Sequence, residues 1–195
     1  MNRISKEMTD IALPAPRRTG GMPLMEALNL RQSSRDLSNT PLDMQTLSDL
    51  LWAAWGYNRE HKRTAPSSHN RQEIDLYLFL ESGTYIYDAA GNRLLLHDDE
   101  DLRSLTGTQE FVGSAAVEIA MVADTSKIKG KSHQGTIEAI YANTGFISQN
   151  IYLFCAQAGL GGVTRAMVPK AELAQRLRLN DSQIITLVHT VGYKK

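Results

Sequence analysis

The stretch from about residue 135 to residue 158 is the longest uninterrupted helical run in the chain, and every other element must fit beside it. No proline breaks it and Gly159 closes it. At about 1.5 Å per residue, such a helix is as long as a small domain is wide. Along it Ala139, Ala142, Gly145 and Gln149 recur at i, i+3, i+6 and i+10, a narrow face of small residues. Little side chain stands in the way on that face, so another helix or a sheet can approach closely.

Around this rod the hydrophobic pattern switches between two periods. Over residues 43–55, Leu47, Leu50, Leu51 and Ala54 fall at i, i+3, i+4 and i+7, with Asp43 as N-cap and Gly56 as stop. That predicts a second helix. Shorter helices are predicted over 23–30, where Pro23 precedes Leu24, Ala27 and Leu28, over 98–105 from an acidic start, and over 170–177 behind Pro169. From Ile74 the period becomes two, with Ile74, Leu76, Leu78 and Leu80 alternating against Asp75, Tyr77 and Phe79. Turns at Ser82-Gly83 and at Ala89-Ala90-Gly91-Asn92 make this the first strand of a meander. Buried strands are predicted over 115–123 and 184–191. Helices separated by strands, with an early meander, predict an α+β fold with a mixed, mostly antiparallel central sheet flanked by helices. Residues 1–22 hold Pro14, Pro16, Gly20 and Gly21 with little periodicity, so they are expected as an extended arm able to lie across a partner. Residues 23–195 form the single domain.

Composition narrows the function classes. A 195-residue chain that is 42% hydrophobic suits one packed domain, and 21 basic residues against 21 acidic ones leave no positive field for nucleic acid or an anionic membrane surface. Cys155 is the single cysteine and lies in an apolar run, which predicts a buried thiol and excludes an intramolecular disulfide. The first ten residues have no signal-peptide core, and no run approaches ~18 apolar residues, so the chain reads as soluble and cytoplasmic. The five histidines, at 61, 69, 97, 133 and 189, form no pair at metal-ligand spacing. No Gly-x-Gly-x-x-Gly opens a helix after a strand, and no Gly-x-Ser-x-Gly elbow presents a nucleophile.

Three strings carry chemistry. Arg31-Gln32-Ser33-Ser34-Arg35 places two guanidiniums with hydroxyls and loop amides between them, a set that suits a phosphate and also a solvated loop. Pro66-Ser67-Ser68-His69-Asn70-Arg71-Gln72 precedes the first strand. Its Asn70 and Gln72 amides can read a heterocycle's imide edge or serve as local strand lead-in bonds. Gly159-Leu160-Gly161-Gly162 follows the long helix; a helix stop explains one of its glycines, and close approach of the backbone to a flat ligand would explain the others.

In order and separation these strings resemble the FMN-dependent nitroreductase family, on its short branch near the SagB-type dehydrogenases. There an Arg-x-Ser-x-Arg/Lys string holds the FMN phosphate, a Pro-Ser-Ser/Ala-x-Asn-x-Gln string follows, and a Gly-Leu-Gly turn comes after the central helix. The resemblance runs from Leu24 through Tyr193. It implies that Arg31, Gln32, Ser33 and Arg35 bind the phosphate side of FMN, and that Pro66, Ser67, Ser68 and Asn70 reach it from the partner of an intertwined homodimer. Gly161 and Gly162 would lie beside the reactive face of the ring, and Gln109 would supply a polar ring contact. The implied activity passes a hydride from NADH or NADPH through the flavin to a small acceptor such as a nitroaromatic or quinone, with no catalytic side chain and no metal. The same resemblance leaves open a flavin dehydrogenase acting on a ring in a peptide or natural product; a flavin-binding protein without turnover is a third reading. Two departures stand out. The chain stops at Gly192-Tyr193-Lys194-Lys195, where Lys194 or Lys195 would have to replace a C-terminal phosphate ligand, and only residues 124–134 join the buried strand to the long helix, which implies an open pocket.

Overall fold

The computed structural model describes residues 9–195; residues 1–8, the start of the predicted arm, lie outside it. In chain order the elements are β1 (Ile11–Ala12), α1 (Leu24–Leu30), α2 (Met44–Trp55), β2 (Tyr57–Arg59), β3 (Lys62–Arg63), β4 (Ile74–Leu80), β5 (Gly83–Asp88) and β6 (Arg93–Asp98). They continue with β7 (Val117–Asp124), α3 (His133–Gln157), β8 (Leu160–Arg165), α4 (Lys170–Arg176) and β9 (Gln183–Tyr193).

Seven strands form one sheet in the order β1-β6-β5-β4-β7-β9-β8, and β2 pairs with β3 in a separate hairpin. Every pairing in the seven-stranded sheet is antiparallel, in line with the mostly antiparallel sheet expected, although the parallel pair a mixed sheet would add is not formed among the described residues. The reason lies in the last crossover. β7 and β8 run parallel and are joined through α3, but β9 inserts between them and pairs antiparallel with both.

Both faces of the sheet are covered, so β7 is buried along nearly its whole length. On one face Ile74, Leu76, Leu78, Ile119 and Met121 pack against Leu47, Leu50 and Leu51 of α2 and Ile140, Ile147 and Ile151 of α3. On the other, Tyr77, Phe79, Val122 and Val188 meet Leu102 and Leu173. α2 forms as predicted, because the Asp43 carboxylate accepts from the Thr46 N–H at 2.8 Å and its buried stripe fits the sheet. Ser132 caps α3 in the same way, and Gly159 leaves it at φ 70°, the left-handed conformation that favours glycine. Cys155 is buried on α3, and burial pushes its thiol up to about 12.

Two expectations change, and the described part of the arm can be placed. The helix predicted over 98–105 is absent: Asp98 pairs with Thr84 in the sheet, and Asp101 holds both the N–H and the guanidinium of Arg103, leaving only a 3-10 turn over Arg103–Thr106. The Gly-Leu-Gly segment is the edge strand β8 rather than a turn. The described part of the arm lies along its own protomer. Ile11 pairs with Leu94, Ser48 Oγ donates to the Pro14 carbonyl at 2.6 Å, and Arg17 gives its N–H and Nε–H to the buried Asp49 carboxylate, both at 2.7 Å.

Two apolar surfaces face outward. α1 buries only Ala27 and exposes Leu24, Met25, Leu28 and Leu30. On α3, Ala142, Gly145 and Gln149 of the small-residue face are exposed beside Phe146, with Ala139 half-buried.

Candidate flavin site

Residues 31–35 leave α1 and run along the free edge of β8. Arg31 ends the helix, its N–H donating to the Ala27 carbonyl at 3.0 Å, and its guanidinium lies 5.3 Å from the Tyr152 ring centroid. Ser33 Oγ lies 3.0 Å from the Tyr152 hydroxyl. The Ser34 N–H donates to the Gly162 carbonyl at 2.9 Å, and the Tyr152 hydroxyl accepts from the Thr164 N–H at 2.9 Å. These contacts satisfy an edge that would otherwise expose unpaired backbone. Gln32 and Arg35 are exposed, and among the described residues neither Arg31 nor Arg35 forms an ion pair. Two uncommitted guanidiniums therefore flank an exposed hydroxyl. The C-terminus comes to the same place: Leu37 pairs with Lys194, Ser38 N–H donates to the Tyr193 carbonyl at 2.8 Å, and Lys195 lies 3.8 Å from Asp36.

Residues 66–72 form a tight loop before β4. His69, Asn70 and Gln72 have φ of 55°, 54° and 50°, each costing about 1–3 kcal/mol in a non-glycine residue, so neighbours must hold them there. Gln72 does most of that. Its carbonyl accepts from Arg63 Nε at 2.9 Å and its amide donates to the His61 carbonyl at 2.8 Å and to Asn70 Oδ1 at 3.1 Å. The Gln72 side chain is thus committed within the protomer. Ser67 Oγ accepts from the Gln72 N–H at 3.0 Å and keeps its own hydrogen; Ser68 lies 3.1 Å from His69 Nδ1, while Pro66 and Asn70 are exposed.

The sheet register separates the two strings. Val191 is level with both Gly162 and Val117, whereas Ala123 is level with both Ile74 and Ile184. The glycines and the arginine string therefore sit at the Val117 end of β7 and residues 66–72 at its Ala123 end. At ~3.3 Å per residue, those levels are roughly 20 Å apart along the strands alone. Among the described residues no hydrogen bond or ion pair links the two strings.

Gly161 and Gly162 are required by the chain's own packing. A Cβ on Gly161 would stand 2.5 Å from Leu37 Cδ2, and one on Gly162 would stand 2.9 Å from His189 Nε2. The close approach expected of a ligand is made here by neighbouring side chains. The Gly162 N–H, projecting on the same side as its carbonyl in an extended strand, lies on the β8 edge.

Sequence reasoning missed a buried polar layer under β8. Arg165 donates to Glu118 Oε2 at 2.5 Å, to Thr190 Oγ1 at 2.9 Å and to the Thr106 carbonyl at 2.9 Å. Burial pushes the Glu118 carboxyl up to about 7 against the opposing pull of Arg165, and its Oε1 has no partner. Gln109 belongs to the loop over this pair. Its side-chain carbonyl is also buried without a partner, between Gly107 and Phe111, which both lie against Arg165. On the opposite face His189 is fully buried. Burial, then the Arg165 charge, lowers its pKa to about 3, so its ring is neutral and contacts Thr164 Oγ1 at 2.9 Å and Ser148 Oγ at 3.2 Å. The one available signal was Glu118 itself, a lone charge in a run that otherwise reads as buried strand.

The sequence pattern of the nitroreductase family matches residues 28–193. The chain belongs to the nitroreductase family. A solved structure of a candidate nitroreductase from Ralstonia eutropha JMP134 superposes with a TM-score of 0.91 at 40% identity, covering 96% of this chain and 90% of that one. A candidate nitroreductase of Methanocaldococcus jannaschii is 23% identical over 175 residues, 84% of this chain and 88% of its own. One from Anabaena variabilis shares the fold, with a TM-score of 0.81 at 18% identity over 95% of this chain and 42% of that one.

Membership in the nitroreductase family makes this chain an oxidoreductase, and the family generally uses a flavin with NAD(P)H. In this family member the link from β7 to α3 carries only the 3-10 turn Thr125–Lys127. An open cleft of about 670 Å³ lies between the arm, α1, α2 and α3, with Arg18, Trp52, Thr64 and Phe154 on its walls. None of the residues expected at the flavin lines it. Among the described residues no cluster suits a metal ion, and no helix is long and apolar enough to cross a membrane.

Proposed function

We propose that this nitroreductase-family chain works as a homodimer that binds FMN and passes a hydride from NADH or NADPH to a small acceptor such as a nitroaromatic or quinone. The observation that carries the reading is the pairing of two arginines without an ion-pair partner around Ser33 with a second polar loop roughly 20 Å away along the same sheet. One protomer does not bring both strings to one ligand. In this reading two copies complete the site, each lending residues 66–70 to the other's arginine string.

Residues at the phosphate end fit the cofactor. Arg31 and Arg35 supply planar paired donors to a dianion, Gln32 and Ser33 supply neutral ones, and Lys194 beside the string adds a further cation. The β8 edge offers the Gly162 N–H to a ring acceptor. Gly161 and Gly162 serve the site by keeping that edge thin. Ser67 retains a free hydroxyl hydrogen on a stapled loop where Ser68 is half-buried and Asn70 is exposed, its amide already held by the His61 carbonyl and by Gln72. The bound flavin would accept and return the hydride, so this chain's groups need only bind, orient and stabilise charge.

The deciding experiment is the absorption spectrum of the purified protein under anaerobic conditions, before and after NADH or NADPH. A flavin spectrum bleached by either nicotinamide and restored by a quinone or nitroaromatic is expected. A protein that takes up no FMN would overturn the cofactor assignment, and bound flavin that neither nicotinamide bleaches would overturn the proposed donor.

A further inference from the structure

Tyr152 lies on α3, outside every string read from the sequence, yet three parts of the phosphate end converge on it. Its hydroxyl accepts from the Thr164 N–H at 2.9 Å and lies 3.0 Å from Ser33 Oγ. The Arg31 guanidinium covers its ring at 5.3 Å, and the His189 ring meets it edge-on with centroids 4.5 Å apart.

A phenol has one hydrogen to give and lone pairs to accept with. The Thr164 N–H occupies an accepting position, which leaves the phenol hydrogen free for Ser33 Oγ. A serine that receives this bond keeps its own hydrogen for a third group. That hydrogen is then free for an anion held by the neighbouring arginine string, and donors in series polarise one another. The ring meanwhile takes the flat face of Arg31, so the guanidinium edge, where its N–H groups lie, stays available.

We infer that Tyr152 is a positioning residue for the flavin phosphate, linking the Thr164 N–H to Ser33 so that the serine is held as a hydrogen-bond donor to the phosphate while the ring seats Arg31. The inference rests on the FMN reading above and adds a residue to it. Tyr152 acts through Ser33, so removing its hydroxyl should matter only while Ser33 is a serine.

The test is a fluorescence titration of FMN and of riboflavin against wild type, Tyr152→Phe, Ser33→Ala and the double variant, each checked by thermal melting. Tyr152→Phe keeps the ring and the Arg31 contact. It should weaken FMN about five- to tenfold and leave riboflavin unchanged. Ser33→Ala should do the same, and the double variant should be no weaker than Ser33→Ala. Losses that multiply in the double variant, equal losses for FMN and riboflavin, or unchanged FMN affinity in Tyr152→Phe would each overturn the inference. Ser33→Ala lies on an exposed loop, so unchanged FMN affinity in it overturns the inference even if the Tyr152 variant is lost to unfolding. A wild type that binds riboflavin as tightly as FMN removes the phosphate assignment itself, a failure distinct from these.

Discussion

Arg31 and Arg35 flank Ser33 in the chain, and among the described residues neither has a carboxylate partner. Charge-assisted bonds contribute about 1.5–3 kcal/mol each, so Arg31→Ala with Arg35→Ala should weaken FMN by about two to four orders of magnitude. Riboflavin should bind the double variant as it binds wild type. Equilibrium titration of both ligands checks this, and equal effects on the two would place the arginines away from the phosphate. Glu118 behaves oppositely to a surface acid, because burial raises its carboxyl to about 7 from 4.5. A raised folded-state pKa means that the native protein holds this proton where the unfolded chain releases it. Its contribution to stability is therefore full below about pH 4.5, falls as pH rises to about 7 and is level above. The melting temperature of wild type relative to Glu118→Gln should drop across that window. A difference independent of pH would show that Glu118 does not titrate there.

At the scale of elements, one carboxylate anchors the distal part of the arm at Arg17. Asp49 on α2 receives the Arg17 N–H, the Arg17 Nε–H and the Gln45 amide, all within 2.9 Å. Asp49→Ala should free residues 16–22 while leaving the helix stripe of Leu47, Leu50 and Leu51 in place. Trypsin should then cut after Arg17 or Arg18 many times faster than in wild type, with the remainder of the chain still resistant. Unchanged digestion would mean that β1 and the Ser48 bond to Pro14 suffice to hold the arm. The elements most legible in the sequence were those with their own end signals. Asp43 and Gly56 bracket α2, and Gly159 ends α3 where a left-handed residue is needed. The helix expected over 98–105 failed because its start was already committed to pairing with β5.

At the scale of the whole molecule, the proposed second copy would seat on the outward faces of α1 and α3. Leu24 is 62% and Met25 75% exposed, and the α3 face is small enough for a helix to seat closely. A Cβ on Gly145 would meet nothing within the protomer, so Gly145→Leu should leave the protomer folded. It should nevertheless convert a sedimenting dimer to monomer and release FMN. A dimeric Gly145→Leu would put the interface elsewhere, and an FMN-loaded wild-type monomer at micromolar concentration would remove the shared site.

The sequence alone determined the helices and strands that carry their own periodicity and caps, the phosphate-suited arginine string, and the resemblance that led to the family. These are local properties, written in spacings of a few residues. The tertiary structure decided what depends on pairing across the chain: the antiparallel sheet created by inserting β9 between β7 and β8, and the roughly 20 Å that part the two polar strings. It also decided the convergence of Tyr152, Ser33 and Thr164, residues 119 and 12 positions apart. Register between strands and the docking of α3 onto them bring such residues together, and no spacing along the chain encodes that meeting.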